Sequence, residues 1–416
     1  MKILILNAGS SSLKYSLFDM AAGHTVLLSG LIERIGEADA GHRYRIGASD
    51  PLQQPLSCDH HRDALQALFA LLTETVLPDL SELAAVGHRV VHGGEFFREP
   101  ALIERQVIAH IEAAIPLAPL HNPANLLGIE ETLRLLPTVP QIAVFDTAFH
   151  QTLPDYAFRY PLPGRLYTEH GVRRYGFHGT SHAYVAKQAA KHLGKPLAET
   201  NLITLHLGNG ASVAAIAGGV SIDTSMGMTP LEGLMMGSRC GDIDPAIAFY
   251  LARTLGMELD AIDKLYNKAS GCLGVCGEND MRAIHAKAEQ GDDSARLALA
   301  MYAYRIKKYI GAYYAVLGRL DALVFTGGIG ENDAWLRQTC CVGLTALGIA
   351  VDPAQNAAPA KPAATISPPG AEVAVTVIAT NEELEIATQT AECLTRGAST
   401  AGDAAKSPCS AAPITE

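Results

Sequence analysis

Residues 2–19, KILILNAGSSSLKYSLFD, decide the fold. Lys2 to Leu6 is an apolar strand, Asn7 to Ser12 is a turn of small polar residues, and Leu13 to Phe18 continues as an alternating strand, so the stretch predicts a β-hairpin. The same grammar returns about 200 residues later: strand Leu202 to Leu207, turn Gly208-Asn209-Gly210, and returning strand Ala211 to Ala217, which closes on Gly218-Gly219. Two such hairpins predict a duplicated domain. A third glycine-rich turn, Gly327-Gly328-Ile329-Gly330, follows a strand over Asp321 to Phe325 and precedes a helix start at Glu331. Strand patterns alternating with helical ones predict an α/β protein with mixed sheets covered by helices. Ser294 to Leu317 reads as a buried helix, with Leu297, Met301, Tyr304, Ile306 and Ile310 on its apolar positions. The Pro/Ala-rich stretch from Asp352 to Gly370 reads as a surface loop, followed by a strand over Val373 to Ile378 and a helix from Asn381. From Gly397 the residues are small and polar and predict a disordered tail.

A chain of 416 residues, 48% hydrophobic, has room for two domains with a core each. Its formal charge of -11 argues against nucleic acid as a partner, because that affinity rests on clustered Lys and Arg. No apolar run approaches the roughly 20 residues of a membrane span, and Ile3 to Leu6 is too short for a signal-peptide core, so a cytoplasmic protein without membrane partners is expected. The 8 cysteines are scattered and read as reduced thiols; Cys272 and Cys276, the nearest approach to a metal motif, read as small buried residues.

Turns of Gly and Ser aim several backbone N–H groups into one concavity and let phosphate oxygens come close. One such turn alone is an ordinary hairpin; three point to a polyphosphate ligand. None matches the P-loop or dinucleotide patterns, so the nucleotide site is of another kind. Phosphoryl transfer also needs cations around the moving group. Arg89 in GHRVVHGG (87–94), His178 in GFHGTSH (176–182) and Arg239 in MMGSRCGD (235–242) stand among glycines in expected loops, a setting that suits a ligand role as well as the usual surface or ion-pair role. Asp146 follows the strand Ile142 to Phe145, at the end where open α/β sheets place ligand groups, although capping the next turn would explain it equally. Asn7 and Glu382 offer the oxygen donors that Mg2+ prefers, but the residues alone do not single them out.

Together these blocks resemble the acetate kinase family: NAGSSSLKYSLFD (7–19), HRVVHGG (88–94), FDTAFH (145–150), YGFHGTSH (175–182), HLGNG (206–210), SIDTSMGMTPLEGLMMGSRCGDIDP (221–245), FTGGIGEN (325–332) and TNEELEIA (380–387). The resemblance covers nearly the whole chain. It implies two duplicated ribonuclease-H-like domains, as in sugar kinases, Hsp70 and actin, with an interdomain active-site cleft. The domains would be 1–150 with about 384–396, and 151–383, which would carry most of the nucleotide site; 397–416 would be the tail. It implies ATP as co-substrate, acetate and acetyl phosphate as the other partners, Mg2+ or Mn2+, and a homodimer. Carried over by motif, Asp146 is the catalytic carboxylate, Arg89 holds substrate, His178 and Arg239 stabilise the transition state, and Asn7 and Glu382 bind metal. Ser10, Ser12 and Lys14 touch phosphates. His206, Leu207, Gly208, Asn209, Gly210, Asp280, Met281, Arg282, Gly328, Ile329, Gly330, Glu331 and Asn332 surround ATP. Val91, Leu120, Phe177 and Pro230 line a small apolar acyl pocket, with Val91 tilting the choice toward acetate. A propionate or butyrate kinase is the alternative on the same scaffold, and a nucleotide-dependent binding protein of the actin and Hsp70 type the one outside it. The wording of Ser270 to Asp280 departs from the family, which bears on the contacts at 280–282.

Overall fold

The structure, a computed structural model, describes residues 1–404, with side chains through Arg396. The chain divides into two compact units, one of residues 1–92, 99–145 and 383 onward, the other of 93–98 and 146–382.

The first unit holds one eight-stranded sheet. Its strands are β1 (Lys2–Ala8), β2 (Ser12–Asp19), β3 (Thr25–Glu33), β4 (Gly41–Ile46), β5 (Leu52–Pro55), β6 (Leu83–Val90), β7 (Ala101–Leu102) and β8 (Gln141–Phe145). Their order is β5-β4-β3-β2-β1-β6-β8-β7. The second unit holds β9 (Asn201–Leu207), β10 (Ala211–Ala217), β11 (Val220–Thr224), β12 (Ala322–Thr326), β13 (Ala363–Thr365) and β14 (Ala374–Ile378), in the order β11-β10-β9-β12-β14-β13.

The duplication is visible in these orders. In each sheet a central strand runs antiparallel to the next strand in sequence and parallel to a later one: β1 with β2 and β6, β9 with β10 and β12. A second parallel strand follows, β8 or β14, and a short antiparallel strand closes that edge, β7 or β13. These are two copies of the ribonuclease-H-like plan.

The unbroken apolar run Ile3 to Leu6 reflects a strand covered on both faces. Alternate side chains go opposite ways: Leu4 and Leu6 join Leu65, Leu68 and Leu72 of the helix His61–Thr75, whereas Ile3 and Ile5 meet Ile386 and Ala387 of the last helix, Glu382–Ala404. The helix Gly179–Leu193 does the same for the second sheet, with Val185, Ala186 and Ala189 packed on Leu202, Ile216 and Val324. Each sheet is thus covered by the helix that follows the other sheet's last parallel strand.

Several boundaries differ from the sequence reading. The 3-10 turn Ala148–His150 packs on the helix Gly179–Leu193 and on β11, which moves 146–150 into the second unit. The turn at Gly327 is itself helix, Gly327–Asn332, rather than a loop leading to one at Glu331. The long helix is Asp293–Leu317, and its buried face is Ala298, Tyr302, Ile306 and Ile310, while Leu297 and Tyr304 are exposed. Ile306 and Ile310 are buried as the sequence reading had them, but Ala298 and Tyr302 pack inward in place of Leu297 and Tyr304. The expected loop from 352 to 370 contains the helix Pro353–Ala357, capped by Asp352, and strand β13. The last helix runs past Gly397 to Ala404, and the rest of the expected tail, 405–416, lies outside the described residues.

Ile386 is 1% exposed among Ile3, Ile5, Ile142 and Val144. Truncating it removes methylenes and leaves a cavity, so Ile386→Ala is expected to destabilise the first unit by about 2–4 kcal/mol, read as a lowered urea midpoint. An unchanged midpoint would show that the last helix is not part of that core.

Candidate functional site

In the first unit, the turn after β1 is closed by the Gly9 amide on the Ser12 carbonyl at 2.8 Å. His61, at the start of its helix, lies with Nε2 2.7 Å from the Gly9 carbonyl oxygen. Two buried asparagines of the helix Asn122–Leu135 bolt the ends of β1 and β6 together. Asn125 donates to the Ala8 carbonyl at 2.8 Å and accepts from the Val91 amide at 3.0 Å; Asn122 accepts from the His92 amide at 3.1 Å and donates to its carbonyl at 2.9 Å. The strand ends are therefore held by short side chains on backbone, which fixes them without filling the space beyond.

On this frame Asn7 is half-buried and faces Lys14 across the β1/β2 ladder. Ser10 is exposed, Ser12 half-buried, and Lys14 pairs with Glu383. Arg89 was expected in a loop; it is the next-to-last residue of β6, beside Val144 of β8, and half-buried. The glycines that suggested a loop begin only after the strand ends. Val91 is buried, whereas Leu120 is 60% exposed and forms no closed wall within its unit.

The second unit gathers His178, Arg239 and the β9/β10 turn. The Gly179 amide donates to the Asp146 carbonyl at 2.9 Å, and a Cβ on Gly179 would collide with that oxygen. This close approach leaves His178, just before the helix, in the left-handed region at φ 56°, an uncommon place for a non-glycine residue. Asp146 is buried, and its Oδ1 lies 3.5 Å from the Thr180 hydroxyl. Phe177 is buried, with its carbonyl 3.0 Å from Nε2 of His150, whose own pKa burial pulls down to about 4. The His178 ring stacks on His206 with centroids 4.3 Å apart. A Cβ on Gly210 would stand 3.5 Å from both His178 Nε2 and Arg239 Nη1, so two cationic or donor side chains converge over a residue with no side chain.

Arg239 is held by its neighbours. Its Nη1 donates to the Pro230 carbonyl at 3.1 Å, and burial lowers its pKa from the ordinary arginine value. The segment carrying it is pinned at both ends. Arg174 donates to the carbonyls of Thr224, at 2.6 Å, and Ser225, at 3.0 Å, and pairs with Glu232 at 2.5 Å. Asp242 accepts from the Gly233 amide at 2.8 Å and from the Tyr309 hydroxyl at 2.7 Å. Pro230 is half-buried.

Beside this lies a cavity of about 800 Å³, lined by Gly208, Asn209, Asp280, Met281, Arg282, Gly328, Ile329 and Asn332, together with Asn279, His285, Asp333, Ala334 and Trp335. Gly327, at φ 76°, lets the helix Gly327–Asn332 start against β9: a Cβ there would sit 2.7 Å from the Leu207 carbonyl. Glu331 accepts from the Thr380 amide at 3.2 Å. Asp280 caps its helix through the Arg282 amide, and its ion pair with Arg282 at 2.6 Å draws its pKa down to about 2. His285 reaches Asp333 at 2.8 Å, and its ring stands edge-on to Trp335 at 5.2 Å. The departure in wording at Ser270 to Asp280 folds into the short helix Gly271–Cys276 and leaves 280–282 on the cavity wall.

The sequence reading missed His285, Asp333 and Trp335, which carry no motif of their own, and the buried Asn122, Asn125, His182 and Ser212, which touch backbone or other side chains. As for metal, no group of three or more His, Cys, Asp or Glu gathers among the described residues. Asn7 and Glu382, both half-buried, offer one amide and one carboxylate oxygen. That donor chemistry fits a hard cation that keeps waters and shares a substrate's phosphates, as Mg2+ does.

Comparison with known proteins gives one consistent answer. Residues 2–388 match the model of the acetokinase family. The acetate kinase of Streptomyces coelicolor is 54% identical over 94% of this chain and 96% of its own. That of Sulfurovum sp. is 55% identical over 95% and 100%. Among solved structures, the acetate kinase of Porphyromonas gingivalis superimposes with a TM-score of 0.90 at 44% identity, covering 94% of this chain and 99% of that one. A propionate kinase from Francisella tularensis gives 0.88 at 43%, covering 93% and 98%. With the duplicated fold and the glycine-lined cavity already in hand, the match runs from the first strand into the last helix, and the chain belongs to the acetokinase family.

Proposed function

We propose that the protein is an acetate kinase, transferring the γ-phosphoryl group of ATP reversibly to acetate to give acetyl phosphate and ADP. The observation that carries the reading is the convergence of His178 and Arg239 over Gly210, next to the 800 Å³ cavity, in a chain more than half identical to acetate kinases. Propionate as substrate is the second reading, favoured by the likeness to the Francisella propionate kinase.

The chemistry suits these residues. Acetate, with a pKa of about 4 to 5 like a side-chain carboxyl, is already ionised at neutral pH and needs no base. Asp146, buried at the end of β8 with its Oδ1 near the Thr180 hydroxyl, is therefore given a positioning role toward water, substrate or metal rather than removal of a proton. Arg89 offers the planar fork that suits a carboxylate bidentately. His178 and Arg239 supply the charge and hydrogen bonds that the equatorial phosphoryl oxygens need in an in-line transfer. Ser10, Ser12 and Lys14 take phosphate oxygens. The purine lies in the cavity between Ile329 and Met281, with Asp280 toward the ribose, and the backbone from His206 to Gly210 and from Gly328 to Asn332 follows the phosphates. Mg2+, held by Asn7 and Glu382, would neutralise polyphosphate charge. By their motif positions Val91, Leu120, Phe177 and Pro230 are the residues we assign to acyl selectivity; since one methylene is worth about 1–3 kcal/mol, propionate is a poorer substrate rather than an excluded one.

No described helix is long and apolar enough to cross a membrane, and we assign the protein to the cytoplasm. A second copy of the chain covers the helix Ala246–Leu255, which has no buried residue and exposes Phe249 and Tyr250 at 60% each and Leu255 at 62%. Light scattering should give a dimer that Tyr250→Asp disrupts; a wild-type monomer would refute the assignment.

The direct test traps acyl phosphate with hydroxylamine from MgATP and acetate, propionate or butyrate. The highest kcat/KM on acetate supports the reading, preference for a longer acid transfers it to the second, and no product from any refutes both. Arg89→Ala and Arg239→Ala should each lower kcat/KM by about 10²–10³-fold with unchanged circular dichroism; near-normal activity in either removes that residue from its role. Trp335 is the chain's single tryptophan and lines the cavity. Its emission should change on titration with ADP at concentrations that saturate turnover, and a flat titration would place the base elsewhere.

A further inference from the structure

The Ser212 hydroxyl bridges two histidines. Its Oγ lies 2.9 Å from His178 Nδ1 and 2.8 Å from His182 Nε2, and His182 Nδ1 lies 2.7 Å from the Thr204 hydroxyl. Ser212, His182 and Thr204 are all 0% exposed, so this chain is closed to bulk water. A hydroxyl has one proton to donate. Ser212 can therefore give a hydrogen bond to one ring only, and the other ring must bring a proton to it. Two arrangements satisfy these three hydrogen bonds. In one, Thr204 donates to His182 Nδ1, His182 Nε2–H donates to Ser212, and Ser212 donates to His178 Nδ1, which leaves the His178 proton on Nε2. In the other, all three bonds run backward, and His178 carries its proton on Nδ1.

We propose that His182, Ser212 and Thr204 are positioning residues that hold His178 as the neutral imidazole with its proton on Nε2. The reason lies in what surrounds His178. Arg239, on the segment before Cys240, approaches the same point over Gly210 as His178 Nε2, and a second positive charge there would be repelled. His206 of β9 stacks on the ring and is itself tied through Nδ1 to the Ser181 hydroxyl at 2.7 Å. Asp146 faces the same helix start, with its Oδ1 3.5 Å from the Thr180 hydroxyl. A neutral His178 can still donate toward a phosphoryl oxygen only with the proton on Nε2, which is what the first arrangement provides. His182 itself stays neutral: burial, then His150 and His206 nearby, take its pKa well below the ordinary imidazole value. His182 thus brings one proton, and the serine hands the lone pair of Nδ1 a donor. Both this role and the choice of this tautomer over its reverse rest on the reading of His178 as a phosphoryl-stabilising residue; the hydrogen-bonded chain itself does not.

The test is 15N-histidine NMR of the full-length protein, with the His178 signal assigned by its loss in His178→Gln. Wild-type His178 should show the Nε2–H tautomer near neutral pH. In Ser212→Ala the Nδ1 lone pair is released, and the titration midpoint of His178 should rise by about one pH unit, the size of one hydrogen bond. The same variant should lose about tenfold in kcat with KM for acetate changed by less than about twofold, and Ser212→Thr, which keeps the hydroxyl, should restore both. A wild-type Nδ1–H tautomer, or a midpoint that Ser212→Ala leaves in place, overturns the proposal. If the spectra behave as expected but no variant or wild type makes acyl phosphate, the kinase reading fails and the tautomer assignment stands.

Discussion

The hydrogen bond from the Gly179 amide to the Asp146 carbonyl sets the geometry on which the second unit's chemistry depends. It needs a residue without a Cβ, it draws the first turn of the helix Gly179–Leu193 against the end of the 145–150 segment, and it leaves His178 in a left-handed conformation. Such a backbone costs of order 1–3 kcal/mol and persists only where the surroundings over-determine it. Here they do. The helix behind it is buried along Val185, Ala186 and Ala189, and His150, from the turn after Asp146, reaches the Phe177 carbonyl on its other side. The strained residue is the one whose ring must stand over Gly210.

Within each unit the protein repeats one device: backbone polar groups near the ends of strands and helices are tied by buried or half-buried side chains. Asn122 and Asn125 do this for β1 and β6, Arg174 and Asp242 for the segment carrying Arg239, and Arg337 for the helix Gly327–Asn332, where it donates to the Gly330 carbonyl at 2.9 Å. Backbone held in this way is preorganised and need not reorient when charge develops on a phosphoryl group.

Much of this was legible in the sequence, and the part that was not has a common cause. The two hairpins, β1/β2 and β9/β10, follow from alternation and small-residue turns, and their recurrence gave the duplication. Two of the glycine-rich turns contribute Gly208, Asn209, Gly328, Ile329 and Asn332 to the cavity wall, where a backbone without bulky side chains leaves room for a ligand. The strand placement of Arg89 was lost because the glycines that follow it weighted the whole block toward a loop. The inward face of Asp293–Leu317 was misread because Ala298 and Tyr302 are buried where Leu297 and Tyr304 are not, and which face turns inward is decided by the sheet it packs on.

Ser212, His182 and Asn125 were silent for a deeper reason. A serine in a strand, two residues past a glycine turn, is the most ordinary of residues, and its meaning comes only from two nitrogens that approach it from a helix about 30 positions earlier in the chain. Periodicity reports which way a side chain points and composition reports what it could bond, but neither reports that a hydroxyl with one proton has been placed between two rings. Once that placement is known, the protonation of His178 is no longer a property of one residue. It becomes a property of a buried chain whose far end, Thr204, lies on β9 in the interior of the sheet, so the polarity of the ring that stands over Gly210 is tied to the core.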